Sequence, residues 1–281
     1  MSYSVVLTQV LMLFLLIMVG FWIGRSGILK MTASAGITSL LIKVAIPAMM
    51  FSSMIREKNP ELVTDALWSF GISFLFFLGA LVFSGILAKG LHLKKGRKSI
   101  WMLAVTLSNT GFMGFPVVLA IFGQEGIFLA SMINMSFNLV GYIFGGMAVM
   151  KDVGSGERIP LKPVLISNIN IAMFLGILCF ATELSVPKVL LTACDTIGNL
   201  TTPLSMILTG LNMANSNLKE VFRDVDVYTA SLFRLILMPL LAFLIVTLLP
   251  IREGSLVPGV FTVIIAMPAP TLCVLLGEQY G

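Results

Sequence analysis

The sequence predicts an all-α polytopic membrane protein. It is expected to be an inverted repeat of two five-helix units with crossing broken helices, the tenth helix missing from its 281 residues. Three observations predict this. First, 58% of the chain is hydrophobic, 11% is charged and the mean hydropathy is +1.02; a soluble domain is typically about 25% charged. Second, nine stretches are each long and apolar enough to cross a bilayer, which takes roughly 20 residues of helix. Third, a proline–glycine pattern in the fourth stretch returns in the ninth.

The composition also excludes several functions. That much apolar surface cannot be hidden inside a water-soluble fold, so a soluble enzyme and a disordered chain are out. The net charge of +5 lies in short loops between apolar runs, which is not a nucleic-acid footprint. Cys179, Cys194 and Cys273 stand in apolar surroundings without CxxC spacing, and His92 is the only histidine. Neither a disulfide framework nor a metal site follows. No catalytic residues, metal or cofactor are expected, and the chain is not read as an enzyme.

The nine stretches are about 4–24, 33–55, 66–88, 100–122, 126–150, 163–182, 189–213, 227–250 and 255–277. The first lacks the basic start and the small-residue cleavage site of a signal peptide. Lys and Arg alternate strongly between loops. The loops near 25–32, 89–99, 151–162 and 214–226 hold twelve, and the other loops and the N-terminus hold four. The positive-inside rule then puts the N-terminus outside, in a multi-pass protein of the plasma membrane.

Span four contains Phe115-Pro116 followed by Gly123-Gln124-Glu125, and span nine contains Ala269-Pro270 followed by Gly277-Glu278-Gln279. The two prolines are 154 residues apart; Pro47 and Pro203, in spans two and seven, are 156 apart. The chain therefore divides into a first repeat at 1–150, a cytoplasmic linker at 151–163 and a second repeat from 164 to 281. Five spans per repeat is an odd number, so the second copy enters the membrane from the opposite side. Inverted repeats with a midplane site are typical of secondary transporters. The partner of span five should cover about 280–304, so a tenth span of roughly 25 residues is missing from this sequence, which leaves two readings, a shortened sequence or a protein of nine spans.

Within span four, Gly111, Gly114 and Pro116 fall within six residues at mid-depth. Pro removes an amide donor and Gly relaxes the backbone, so the helix is expected to break there. A break in hydrocarbon is tolerated only where it is buried or lines a cavity. Pro268, Pro270 and Thr271 stand at the matching place in span nine. Two broken helices facing each other would aim half-helix N-termini at one spot and favour an anion. Asn109 and Thr110 offer uncharged donors beside the break. Asn134 and Asn138 share a helix face, which Tyr142 extends; interhelical hydrogen bonding is the structural alternative. Lys43 lies near the centre of span two, where a charge costs at least about 2.5–3.5 kcal/mol; it could attract a carboxylate or stand in for a coupling cation. Arg234 lies roughly 10 Å into span eight, within snorkelling reach of the interface, and is weighed evenly as a structural residue or a charge and coupling candidate. Asp195, near the end of span seven, could titrate during proton coupling or be a solvated helix-end acid.

The run Asn109-Thr110-x-x-Met113-Gly114-x-Pro116 resembles the span-four motif of the auxin efflux carrier family, which includes plant PIN-type exporters and bacterial malate and malonate permeases. Val19-Gly20-Phe21 through Gly27-Ile28-Leu29, Ile46-Pro47, Arg234-Leu235 through Pro239 and Ala266-Met267-Pro268 are similar to that family along nearly the whole chain. The resemblance implies a fold like that of sodium/proton antiporters, with spans 1, 2, 6 and 7 as scaffold and spans 3–5 and 8–9 as transport helices. It also implies an elevator-like carrier of small organic anions, a dicarboxylate such as malate or malonate or an auxin-like carboxylate, and a homodimer in the bilayer. The coupling ion, proton or sodium, stays open. The alternatives are a sodium-coupled symporter of the bile-acid type, disfavoured by the lack of a midplane carboxylate, and an anion channel, for which no filter sequence is present.

Overall fold

The computed structural model describes residues 3–29, 31–58, 60–93, 96–154, 167–215, 224–270 and 273. Among these the chain is helical, and each of the nine expected spans contains helix. The helices are α1 (Tyr3–Ser26), α2 (Met31–Leu40), α3 (Ile46–Met54), α4 (Pro60–Gly90), α5 (Arg97–Thr106), α6 (Phe115–Asn138), α7 (Gly146–Val153), α8 (Asn168–Thr182), α9 (Lys188–Gly198), α10 (Thr201–Asn215), α11 (Val225–Leu232), α12 (Met238–Leu248) and α13 (Val257–Ile265). Among the described residues, four stretches are long and apolar enough to cross a membrane: Ser34–Met54, Pro60–Gly90, Arg97–Asp152 and Val225–Leu248.

Several spans are not regular α-helix. Wide π-helical turns join α2 to α3 at Leu41–Ala45 and α11 to α12 at Phe233–Leu237. In each, the closing amide reaches back five residues, Ile46 N–H to Leu41 O and Met238 N–H to Phe233 O. A proline follows at once, Pro47 and Pro239. Pro has no N–H and its ring collides with the carbonyl four residues back; a widened turn moves that carbonyl aside. In α6 the backbone leaves helical geometry at Gly123 (φ 67°, ψ −158°). That conformation is open to glycine, and it separates the end of span four from span five.

The described chain forms two compact units. The first comprises residues 1–63, 111–131 and 166–218. Here α1 packs along α10, and α3 packs against α8 and α9. The first contact needs glycine on both sides. A Cβ on Gly20 would collide with the Ile207 carbonyl oxygen, and one on Gly210 with that of Ile17. One turn on, a Cβ on Gly24 would stand 2.7 Å from the Ala214 Cβ. The second contact is similar: a Cβ on Gly176 would meet the Met54 Cβ at 2.7 Å and the Phe51 carbonyl oxygen at 3.5 Å. Helices in lipid gain little from hydrophobic exclusion, so close backbone approach and dispersion hold them together.

The second unit comprises residues 64–110, 132–165 and 219–281. Hydroxyls clasp α4 to its neighbours: Ser73 Oγ donates to Ser136 Oγ (2.8 Å), Ser136 Oγ donates to Phe70 O (2.9 Å), and Ser84 and Thr106 share a bond of 2.9 Å. Phe76 meets Phe261 edge-on at 5.4 Å. Asp152 caps α5 from α7, accepting from the amides of Gly96 (3.1 Å) and Ser99 (3.0 Å). Ion pairs lie within and after α4. In its second turn, buried Asp65 is bonded to Arg252 at 3.3 Å. After the helix, Arg97 pairs with Asp224 and, at 3.1 Å, with Asp226.

Asp224 lies at the surface, and its carboxyl is held below the usual carboxylate range. The hydrogen bond from the Arg97 side chain is the largest cause, and the amide of Asp226 adds to it. A depressed folded pKa stabilises the fold above the unfolded pKa and is lost as pH falls through the folded one. Asp224→Asn is therefore expected to melt slightly below the parent at neutral pH, with the gap closing as pH drops below about 4. Melts of both proteins across that range check this; a gap that persists in acid would refute it.

Candidate functional site

The site grows from the ends of two helices in the second unit. Helix α5 stops at Thr106, and Leu107 turns extended (φ −92°, ψ 142°), its amide still bonded to Leu103 O at 2.8 Å. Residues 107–109 lie outside any helix, and a wide turn, Thr110–Gly114, resumes the path. Helix α13 stops at Ile265, before Pro268 and Pro270, which cannot donate to a helical ladder. The two non-helical stretches are joined directly: the Asn109 amide donates to Pro268 O at 2.8 Å.

A helix end leaves its last carbonyls unpaired and carries partial negative charge. Here one side chain answers both ends. Arg234, in the Phe233–Leu237 turn, is 2% exposed. Its Nε donates to Met267 O (2.9 Å), Nη1 to Val105 O (3.2 Å) and Thr106 O (3.1 Å), and Nη2 to Ile265 O. Of the two readings weighed for Arg234, snorkelling does not describe the side chain: the guanidinium turns inward, because four orphaned carbonyls offer a better partner than the interface does. A planar fork of donors suits that task; a lysine ammonium does not.

Beside this clamp, Thr110 Oγ1 donates to Asn134 Oδ1 at 2.7 Å, and both residues are buried. Ser108, 0% exposed, has a hydroxyl with no partner among the described residues. The structure therefore brings together Asn109, Thr110, Asn134, Pro268 and Arg234. Asn138 ends α6 and is half-buried. Tyr142 is also half-buried, inside a further wide turn at Leu139–Gly145, so α-helical spacing no longer sets its place on the Asn134–Asn138 face. Pro270 is buried and its carbonyl accepts from Cys273 N–H at 3.1 Å. Thr271 lies outside the described residues.

The remaining candidates belong to the first unit. Gly111 stands 3.9 Å, measured from an added Cβ, from Ile46 Cδ1. Gly114 and Pro116 are buried, with Pro116 in the first turn of α6, where a missing N–H costs nothing. Lys43 has an exposed side chain in the Leu41–Ala45 turn, and its carbonyl accepts from Asn168 Nδ2 at 3.1 Å. Asp195, in α9, is half-buried.

Sequence reasoning missed Ser108 and did not foresee the partners of Arg234. Both carried a signal: a hydroxyl beside Asn109 and Thr110, and a cation inside an apolar span.

Comparison with known proteins follows the same lines. The profile of the membrane transport protein family matches residues 5–159 and 155–281. An uncharacterized transporter of Methanocaldococcus jannaschii is 27% identical over 279 residues, covering 96% of this chain and 88% of the relative. An uncharacterized transporter of Methanothermobacter thermautotrophicus is 26% identical over 242 residues, covering 83% and 76%. The lysosomal cholesterol signaling protein of Mus musculus is 23% identical over 268 residues, 89% of this chain but 30% of the mouse protein.

Proposed function

The chain belongs to the membrane transport protein family, the auxin efflux carrier family of its span-four motif, and from that premise we propose that it is a secondary transporter of small organic anions. The observation that carries this reading is Arg234, a buried cation whose hydrogen bonds all go to backbone carbonyls. It neutralises the negative ends of two interrupted helices, so no carboxylate of the protein is needed to balance it. Asn109, Thr110, Asn134 and the unpartnered Ser108 then supply neutral hydrogen-bonding groups for an oxyanion. Lys43 adds a second cation or substitutes for a coupling ion. The substrate class is a small carboxylate, either a dicarboxylate such as malate or malonate or an auxin-like acid.

The mechanism is alternating access, elevator-like, with spans four and nine as crossing broken helices of an inverted repeat. Reciprocal contacts support the repeat. Gly176 follows Gly20 by 156 residues, and Ile207 follows Phe51 by the same 156, while the contacts run Gly20 to Ile207 and Gly176 to Phe51. This is also the spacing of Pro47 and Pro203. The ion pairs are reciprocal in order at a looser spacing: Arg97 meets Asp226 and Arg252 meets Asp65, the arginines 155 and the acids 161 residues apart. The division into units supports the elevator reading, since spans 1, 2, 6 and 7 fall essentially in one and spans 3, 8 and 9 with most of span five in the other. Its refinement is that residues 111–131, the later part of span four and the start of span five, group with the expected scaffold. A homodimer through that scaffold, in the plasma membrane with the N-terminus outside, completes the proposal.

The test is exchange of labelled malonate, malate and indole acetate in proteoliposomes, with and without sodium. Flux of at least one acid is expected, falling about tenfold or more in Asn109→Ala, the scale of losing a hydrogen bond to a charged ligand. Lys43→Met is expected to lower flux or change the order of preference. A folded parent that moves none of the acids would sink the reading. Strict sodium dependence would favour the bile-acid-type symporter, and conductance steps a channel.

A further inference from the structure

Asp65 is a buried acid that belongs to the second unit but stands apart from the anion cluster. It lies in the second turn of α4 and is 3% exposed. Among the described residues its carboxylate has one partner, Arg252 Nη2 at 3.3 Å, and that arginine is itself exposed. A carboxylate offers about four acceptor positions, and a charge-assisted bond is normally about 2.7–2.9 Å long. The buried charge is therefore answered by one long bond. A proton can replace that bond without displacing any other donor.

A column of hydroxyls continues inward on the same face of α4. Ser69 and Ser73 follow Asp65 at intervals of four, which sets neighbouring Cβ atoms about 5–6 Å apart. Both serines are fully buried. The Ser69 hydroxyl has no partner among the described residues, and Ser73 Oγ is bonded to Ser136 Oγ at 2.8 Å. There the column ends. The next turn carries Phe76 and Phe77, which meet Phe261 at 5.4 Å and Phe137 at 6.2 Å, edge-on, and all four are buried. The next hydroxyl on α4 is Ser84, eleven residues past Ser73. We propose that Asp65 binds the coupling proton, taken up from the side of the membrane where Arg252 stands, and that the proton travels with the anion.

The inference rests on the transport reading and names its coupling ion. The step is a plain acid–base exchange. One Asp65 oxygen gains a proton from a hydronium ion, Arg252 keeps its charge and turns to solvent, and the new O–H has the Ser69 hydroxyl one turn away to accept it. The phenyl rings leave no hydroxyl path along α4 to the far side, so release waits for the unit to move. Asp65 belongs to the same unit as Asn109, Thr110 and Asn134. Protonation removes one negative charge from that unit as the anion adds its own, which favours their moving together. Arg252 is the cation that faces Asp65; Glu61 lies one turn back, exposed, and Glu253 follows Arg252. Residues 132–138, α12 and α13 carry no ionisable side chain, and Arg97 and Lys98 of α5 stand beyond the other end of α4. A metal ion in place of the proton would meet the charge of Arg252 at the single carboxylate of the column.

The experiment uses the full chain in proteoliposomes with the membrane potential clamped. Labelled malonate and malate are followed in two modes, accumulation driven by an acid-outside gradient and exchange at equal pH. A gradient of one pH unit is expected to support about tenfold accumulation per proton carried, because a pH unit and a tenfold ratio are the same free energy. Asp65→Asn is expected to lose that accumulation and keep the exchange. A second readout needs no transport: acidifying the detergent-purified protein should raise an infrared carboxylic-acid band that is missing in Asp65→Asn. The pair Asp65→Asn with Arg252→Gln, which removes both charges, serves in both assays if the single variant does not melt cooperatively. Accumulation that persists in the folded variant, the opposite dependence on the gradient, or an infrared band unchanged by the substitution overturns the proposal. Exchange without gradient-driven accumulation in the parent defeats this proposal alone; the Asp65 band without exchange of any acid defeats the transport reading and leaves Asp65 as a proton site.

Discussion

Arg234→Met is expected to be the most damaging single substitution in the molecule. It strips the partner from the carbonyls of Val105, Thr106, Ile265 and Met267 at once. A buried acceptor left unmet costs about 1–3 kcal/mol, and one bonded to a charged donor sits at the upper end. Relaxation will recover part of this, so the net loss is on the order of 5 kcal/mol. For a chain of this size that lowers the melting midpoint by about 10–20 °C, or prevents isolation of folded protein. Arg234→Lys keeps the charge but offers a compact ammonium with three donors in place of a fork. It should fold, melt between parent and methionine variant, and transport poorly. Melting curves and malonate flux for the three proteins check the order. Equal midpoints for parent and Arg234→Met would show that the carbonyls find other partners.

The second large effect is expected at the α1–α10 contact. Gly210→Val and Gly20→Val each place carbons where the opposing helix has a backbone carbonyl. Backbone cannot rotate away as a side chain can, so the helices must separate along their length. Overpacking typically costs about 1–3 kcal/mol and more when backbone has to move. We expect about 3 kcal/mol or more from either variant. Gly36→Ala is the control: nothing lies within 4 Å of an added Cβ, and alanine is the better helix former by roughly 1 kcal/mol. It should melt at or above the parent. Equal melting of all three would mean that this contact contributes little.

These two sites also show what could be read in advance. The spans were legible because hydrocarbon demands continuous apolar helix, a constraint written residue by residue. The non-helical residues 107–109 and the end of helix at Ile265 lie close to the Gly and Pro clusters, which act on their own backbone. Gly20 and Gly24 stood in plain view as a spacing of four, but which helix they meet is a matter of topology, and Gly210 is 190 residues away from Gly20 in sequence. The partners of Arg234 were hidden for a related reason. Its reach to an interface can be counted along one helix, whereas its actual partners are the ends of two others. The wide turns were hidden because a π-turn needs no special residue: a proline follows Leu41–Ala45 and Phe233–Leu237 closely, but none follows Leu139–Gly145.

The reciprocal contacts have a consequence for how the protein is made. Gly20 meets Ile207, Arg97 meets Asp226 and Asp65 meets Arg252, so each of these bonds joins an early residue to a late one. Asp65, 3% exposed in the folded protein, has to wait for Arg252, 187 residues later. At ribosomal speeds of about 5–20 residues per second that delay is roughly 10–40 s. During it the nascent first repeat holds an unpaired acid and a glycine seam open to lipid. The membrane insertion machinery, or a chaperone at its side, must shelter that half until the second arrives.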